Sequence, residues 1–270
     1  MKKVTKLGLI LMLGLAMILS ACGASETGSG DSGGDEKKTL RLVTDAAYSP
    51  MEYMDGDKVV GFDIDLAKAV AEEAGYELKI EHVGWEPLFV EIDGKNADVA
   101  ISSITITDDR KQTYDFSVPY YLSTNEILVP KGSDIKSGED LKDKVVAVQK
   151  DTTGHEIAES ILGDKNSNIK PFETTPIAIQ ELLSNGAAAV IADKPVVDEY
   201  VKNNSDKNLE VIMDDSFDAE FYGLLFPKGS ELVEEFNKAL NALFDNGKYA
   251  EIYKEWFGEE PDIDALKAQQ

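Results

Sequence analysis

The sequence predicts an α/β protein of two lobes, each a parallel sheet with helices on both faces. Three observations carry that expectation. From residue 40 onward, short β-branched runs alternate with helical stretches, the pattern of sheets covered by helices. The alternation runs twice, with a short apolar and aromatic stretch at 117–122 between the two series. About 230 residues follow a polar linker, enough for two cores of about 100 residues each.

The chain opens with Lys2, Lys3 and Lys6, then an apolar run over 7–19, then Leu19-Ser20-Ala21-Cys22. A basic start, a short apolar core and small residues before a cut site predict a secretory signal peptide over 1–21. The 13 apolar-core residues fall short of the ~20 that a permanent spanning helix needs. Residues 22–38 are rich in Gly, Ser, Asp and Glu and lack apolar periodicity, which reads as a flexible tether. Within the tether, Gly30-Asp31-Ser32-Gly33-Gly34 matches serine-nucleophile patterns. No strand precedes it and no helix follows, so that reading is rejected.

The elements follow in order. Residues 40–44 read as a strand. Gly61 precedes a helix whose apolar face includes Phe62, Leu66, Val70 and Ala74, at helical spacing. Strands are expected at 78–83, 98–102, 126–131 and 145–149. Helices are expected at 152–162 and 176–184. Residues 188–192 read as a buried strand running into a helix at 193–203. The segment 231–257 reads as two helices broken at Asn246-Gly247.

Composition excludes several classes. The net charge is −24, and loss of a signal segment holding three lysines and no acids takes it to −27. Nucleic acid as a partner needs a basic footprint, which is lacking. Charge-driven adhesion to anionic lipid is excluded on the same ground, and the field is otherwise mainly a solubility property. Cys22 is the single cysteine, so no internal disulfide can form and stability must come from packing.

Candidate site residues lie where strands end. The run Ser102-Ser103-Ile104-Thr105-Ile106-Thr107 leads to Arg110, with Thr107 placed to cap a short helix. Free N–H groups and hydroxyls at the end of a parallel strand suit a small ligand. Arg110 offers a planar fork that matches a carboxylate, or is simply a surface arginine beside Lys111. Asp193 ends the buried strand where a helix begins, as an N-cap or as a carboxylate awaiting a cation. Gln149 to Gly154, with Thr152 and Thr153, forms another strand-to-helix turn that suits an anion or caps its helix. Tyr48 and Trp85 sit in loop-like stretches at 46–50 and 84–87, as a ligand sandwich or as packing. His82 and His155 stand alone without metal-ligand spacing, so no metal and no cofactor are expected.

Several of these stretches together resemble the polar amino-acid-binding proteins that serve ABC importers, the family-3 extracellular solute-binding proteins of bacteria. The residues are Gly61-Phe62-Asp63-Ile64-Asp65-Leu66 with Val70, Ala71 and Ala74; Thr44-Asp45-Ala46-Ala47-Tyr48-Ser49-Pro50; Ser103 to Thr107 with Arg110; Asp115-Phe116-Ser117 with Tyr120-Tyr121; and Tyr249-Ile252-Tyr253-Trp256-Phe257-Gly258. They occur in the family's order and cover about 40–261. Leu19 to Cys22 likewise resembles a lipoprotein cleavage site.

The resemblance implies a two-lobed periplasmic-binding-protein fold of type II with two hinge crossings. Lobe 1 would span 39–121 and 220–270, and lobe 2 would span 122–219. Arg110 would clamp a ligand α-carboxylate, helped by Thr105 and groups near Ser103 and Thr153. Asp193 would take the α-ammonium. Asp45, Tyr48, Trp85 and Gln149 would line the side-chain end, with Ser102 and Thr152 beside them. Gly84 to Phe89, Val148-Gln149 with Thr152-Thr153-Gly154, and Phe172 to Thr175 are most similar to binders of arginine, lysine and histidine. Asp45 beside aromatic faces suits a guanidinium. Glutamine or cystine is the alternative within the family. The chain departs from the common pattern at Met51, Asp151 and Ala189.

The implied function is capture of a polar, basic amino acid by hinge closure and its delivery to an ABC permease. The protein would be a monomer without catalysis, anchored to the outer face of the cell membrane through Cys22. One acyl chain holds a protein only reversibly, which is why a diacylglyceryl group with a further palmitate-type chain matters. The competing readings are a dehydratase on the same fold, which needs an acid or base poised over a leaving group, and a sensory lipoprotein.

Overall fold

A computed structural model describes residues 37–270. The signal segment, Cys22 and nearly all of the tether lie outside the described residues.

The first half of the chain builds one sheet. β1 (Lys38–Thr44), β2 (Ala47–Tyr48), β3 (Glu52–Asp55) and β4 (Lys58–Val60) lead into α1 (Phe62–Glu73). β1 begins at Lys38, the last residue of the expected linker. Then come β5 (Tyr76–His82), α2 (Trp85–Asp93), β6 (Val99–Ala100), α3 (Arg110–Thr113) and β7 (Tyr114–Phe116). Gly61 is where α1 had to start. Its φ is 136° and a Cβ there would lie 2.1 Å from the Met51 carbonyl oxygen. That close approach lets the Pro50 and Met51 carbonyls accept the N–H groups of Phe62 and Asp63, at 3.1 and 2.9 Å. Backbone thus does the capping, and no side chain is used.

β8 (Tyr121–Pro130) carries the chain across. β9 (Val146–Gln149), α4 (Thr153–Leu162), β10 (Ile169–Phe172), α5 (Thr175–Leu183), β11 (Ala189–Asp193), α6 (Lys194–Asn203) and β12 (Leu209–Ile212) complete the second half. β13 (Ala219–Tyr222) carries the chain back, and β14 (Leu225–Pro227) rejoins the first sheet. α7 (Leu232–Asn246), α8 (Lys248–Phe257) and α9 (Ile263–Lys267) follow, with Gly247 left-handed at φ 85° between the first two. The break expected at Asn246-Gly247 is therefore a left-handed joint that glycine occupies without penalty.

Strand order in the first sheet is β5-β1-β6-β14-β7, and in the second β10-β9-β11-β8-β12, with β13 also on β8. β2, β3 and β4 form a small third sheet. The expectation of parallel sheets needs correction. β1 pairs β5 and β6 in parallel, and β9 pairs β10 and β11 in parallel. β8 and β14, however, pair antiparallel with every neighbour. Both sheets are mixed because the two crossing strands and the return enter without a crossover helix, and only such a helix forces parallel pairing.

Burial explains the continuous apolar run of β11. Ile127, Val146, Val148, Ala189 and Ile191 pack on one face of the second sheet, while Leu128, Ala147, Val190 and Ala192 pack on the other. Side chains alternate between faces, so a strand covered on both sides reads as unbroken apolar sequence. In the first lobe the C-terminal helices close the core. Phe62 and Val70 of α1 join Phe236 and Leu240 of α7 and Tyr249 of α8, all fully buried. Trp256 Nε1 donates to Asp65 Oδ2 at 3.1 Å, and the Tyr249 hydroxyl donates to the Tyr120 carbonyl at 2.5 Å.

Candidate functional site

The ends of β1, β6, β9 and β11 open on one cleft. Parallel strands present free backbone groups at these ends, and a ligand site belongs there. Asp45, Tyr48, Trp85, Ser102, Ser103, Thr105, Arg110, Gln149, Thr152, Thr153 and Asp193 all line it. All eleven sequence-derived candidates are thus brought together. Glu52 lines it as well and was missed.

Arg110 opens α3. Its N–H donates to the Thr107 hydroxyl at 3.2 Å, although Asp109 and not Thr107 occupies the N-cap position. Its guanidinium lies 5.4 Å from the Trp85 ring and 5.6 Å from that of Phe89. Nη1 donates to the Thr105 carbonyl at 2.9 Å. No carboxylate comes within ion-pair distance of it among the described residues, and burial pushes its pKa down. The result is a partly buried cation held in orientation but left without an anion. The reading as a surface arginine beside Lys111 is excluded, and the places of Trp85 and Tyr48 need correction. Trp85 is the first residue of α2 and Tyr48 belongs to β2, so neither is in a loop.

Asp193 sits at the N-cap of α6 but its side chain caps nothing. Its carboxylate instead accepts the Tyr222 hydroxyl at 2.6 Å, while the Asp193 N–H reaches the Tyr48 hydroxyl at 3.4 Å. Burial pushes the carboxyl up to about 6, against the pull of the two tyrosines and of Arg110. Thr152 does cap α4: its Oγ1 accepts the His155 N–H at 3.3 Å.

A second cluster surrounds Asp45. Its Oδ2 accepts Gln149 Nε2 at 3.0 Å, and Gln149 Oε1 accepts the Thr175 hydroxyl at 2.9 Å, which fixes the amide's orientation. The Asp45 N–H donates to Ser102 Oγ at 3.1 Å, and Ser102 Oγ donates to Glu52 Oε1 at 2.8 Å. His82 Nδ1 accepts the Ala46 N–H at 2.9 Å, a structural role at the rim. Asp63, beneath the cleft, accepts the Ser103 N–H at 2.8 Å and the Tyr120 hydroxyl at 2.7 Å through Oδ2. Ser103 is left-handed at φ 48°, and this bond helps hold a conformation that an L-residue rarely adopts. Burial raises the pKa of Asp45. Burial, then the charge of Asp63, raises that of Glu52 well above the carboxylate range, and burial takes Asp63 to about 7.

Asp45 Oδ1, Glu52 Oε2 and Ser103 Oγ are buried and have no hydrogen-bond partner. Unpaired buried acceptors cost about 1–3 kcal/mol each, and a ligand rich in donors removes that cost. Asp151 is left-handed at φ 57°, a conformation that glycine adopts without penalty and an L-residue rarely does. Its carbonyl accepts Trp85 Nε1 at 3.1 Å and the long contact from Arg110 Nη2 at 3.5 Å. Its side chain is 60% exposed, 3.5 Å from Lys150, so it faces solvent.

Glu220 of β13 lies just behind the cleft, where it accepts the Thr105 and Thr153 hydroxyls, and sequence reasoning missed Glu52 and Glu220 for the same reason. Each is an acid on a strand of four residues with no apolar alternation to mark it.

A family model for bacterial extracellular solute-binding proteins, family 3, matches residues 40–259. The chain is 37% identical to a probable histidine-binding protein of Neisseria gonorrhoeae, over 91% of this chain and 92% of that one. It is 36% identical to the arginine-binding extracellular protein ArtP of Bacillus subtilis (strain 168), over 90% and 94%. Among solved structures it is similar to the arginine-, lysine-, histidine-binding protein ArtJ of Geobacillus stearothermophilus. There the TM-score is 0.84 and the identity 52%, covering 85% of this chain and 100% of that one. The mixed sheets, the two crossings and the match over nearly all of the described residues agree: this chain has the type II periplasmic-binding-protein fold and belongs to the bacterial extracellular solute-binding proteins of family 3.

Proposed function

We propose that the chain is a binding protein that captures a basic amino acid, arginine above all, and hands it to an ABC permease. The observation that carries this reading is the unpaired Arg110 guanidinium opposite the buried Asp193 carboxylate in one cleft. An α-carboxylate and an α-ammonium are what those two groups lack. The Arg110 fork takes the carboxylate bidentately, with the Thr105 and Thr153 hydroxyls near it. Asp193 takes the ammonium. Asp45 and Glu52, each with a free buried oxygen, take the donors of a guanidinium or an ε-ammonium. The histidine-, arginine- and lysine-binding relatives support the same ligand class.

The mechanism is closure. Lobe 1 is 39–121 with 220–270, lobe 2 is 122–219, and β8 and β13 serve as the hinge. The pairing of β8 with β13, from Tyr121↔Tyr222 to Thr124↔Ala219, supports a two-stranded hinge. A ligand shifts the balance only through contacts made in the closed form. No helix among the described residues is long and apolar enough to cross a membrane. Attachment falls instead to a diacylglyceryl group on Cys22 after removal of 1–21, with 22–38 as the tether and the protein a monomer. The buried acids serve ligand charge rather than turnover, and incubation with prephenate-like acids should give no absorbance change.

Thermal melts against the twenty amino acids, ornithine and cystine test the reading. A ligand at a thousand times its Kd adds about 4 kcal/mol of stability. Arginine, lysine and ornithine should raise Tm. A rise with glutamine or cystine instead overturns the side-chain assignment, and no rise with any overturns the function.

A further inference from the structure

Glu220 lies on the return crossing β13, opposite Ser123 of β8. Its carboxylate is the meeting point of the two lobes. Oε2 accepts the Thr105 hydroxyl of the first lobe at 2.8 Å and the Thr153 hydroxyl of the second at 3.1 Å. Oε1 accepts Asn125 Nδ2 at 2.8 Å. All three partners are neutral, and the residue is only 9% exposed. The charged groups that face it are Asp193 at the end of β11 and Arg110 at the start of α3, and Tyr222 lies near on its own strand.

We propose that Glu220 makes closure conditional on a cationic ligand: buried between the lobes beside Asp193 with neutral partners only, its charge opposes closing of the empty protein and is relieved by an incoming ligand ammonium. The inference rests on the binding reading above and names the residue that couples binding to closure.

Thr105 and Thr153 sit on different lobes, so opening separates the two hydroxyls and admits water to the carboxylate. Closing reverses this. A buried carboxylate with neutral donors alone retains a desolvation cost that an ammonium nearby offsets. In the closed cleft, burial and then the Asp193 charge push the Glu220 carboxyl up to about 7, while Thr105, Thr153 and Arg110 pull the other way. The sign follows. The closed empty form holds a proton on Glu220 more tightly than the open form, in which water restores an ordinary carboxylate. Falling pH therefore favours closing of the empty protein. A ligand ammonium replaces that proton, which leaves to solvent.

The test uses the purified protein and its glutamine variant, Glu220→Gln, a neutral group of the same shape. The radius of gyration from small-angle scattering reports closure. So does Trp85 fluorescence, because its indole donates across the cleft to the Asp151 carbonyl. At pH 8 without ligand, E220Q should be closed more often than wild type, by roughly tenfold in the closed-to-open ratio for each pKa unit that closing adds. Wild type without ligand should close progressively from pH 8 to pH 6, and E220Q should lose that upper part of the response. An E220Q protein as open as wild type at pH 8 overturns the proposal. Should E220Q fail to fold, the wild-type titration decides, and dimensions unchanged between pH 8 and pH 6 overturn it. Arginine added to wild type is the separate arm: no closure there rejects the binding reading itself, whereas closure with an unaltered E220Q rejects the role of Glu220 alone.

Discussion

Arg110→Lys separates geometry from charge in the anion site. Lysine keeps one positive charge but loses the fork and the flat face over Trp85 and Phe89. One charge-assisted hydrogen bond to the ligand carboxylate is worth about 1.5–3 kcal/mol, and stacking at 5.4 and 5.6 Å about 0.5–1. The expected loss is about 3 kcal/mol, or about 150-fold in Kd. Consider a ligand at a thousand times the wild-type Kd. The stabilisation falls from about 4 to about 1 kcal/mol, and the Tm shift from about 8–16 °C to about 2–5 °C. The ligand-free variant should be less stable by no more than about 1 kcal/mol, because the stacking on Trp85 and Phe89 is lost while one unpaired cation remains. Calorimetric titration with arginine, lysine and glutamine, beside ligand-free melts, gives both numbers. An unchanged Kd for all three refutes the clamp. So does a loss confined to one of them, since every amino acid presents the same carboxylate.

Asp45→Asn should weaken arginine and lysine by about 2 kcal/mol, roughly 30-fold, and glutamine by less than about threefold; an equal loss by titration calorimetry would sink the cationic reading. Glu52 and Asp63 hold their protons in the folded state above the unfolded carboxylate range. The Asp63 contribution is therefore fully present below about pH 4 and lost as pH rises through about 7, and that of Glu52 is lost in the same direction as pH rises through its own raised pKa. Urea midpoints of wild type should fall from pH 5 to pH 8, and Glu52→Gln should flatten the fall and gain about 1–3 kcal/mol at pH 8; parallel curves for the two proteins would reject a raised Glu52 pKa. Gly61→Ala places a Cβ 2.1 Å from the Met51 carbonyl oxygen at φ 136°. It should cost about 3 kcal/mol or more of stability by the same assay, and a loss under about 1 would mean that the start of α1 is not fixed by that approach.

The elements that sequence reasoning could see were those whose burial writes a period into the chain. α1 shows its buried face at helical spacing, β11 shows two buried faces as an unbroken apolar run, and Gly247 marks a left-handed joint. β13 and β14 are strands of four and three residues, too short for two or three alternations to stand out, so the mixed character of both sheets stayed hidden. Trp85 starts α2 behind Gly84, which offers no side-chain cap, so no start signal preceded it.

The site divides along the same line. Ser102, Thr153 and Asp193 stand at strand ends, a place that sequence can mark. Glu52, Asp63 and Glu220 are three acids among 51, and nothing local distinguishes a buried carboxylate from the solvated ones that give the chain its charge. Asp193 shows the limit most clearly. The same position serves a helix cap or a ligand carboxylate, and the choice is made by Tyr222, which is 29 residues further along and takes that carboxylate at 2.6 Å. Tyr222 reaches it only because β13 returns beside β8. The partner of the aspartate is thus supplied by β13, which also carries Glu220, two residues before Tyr222 on the same strand. A substitution that shifts β13 along β8 should therefore disturb ammonium recognition and closure together, while one that loosens α6 should disturb neither.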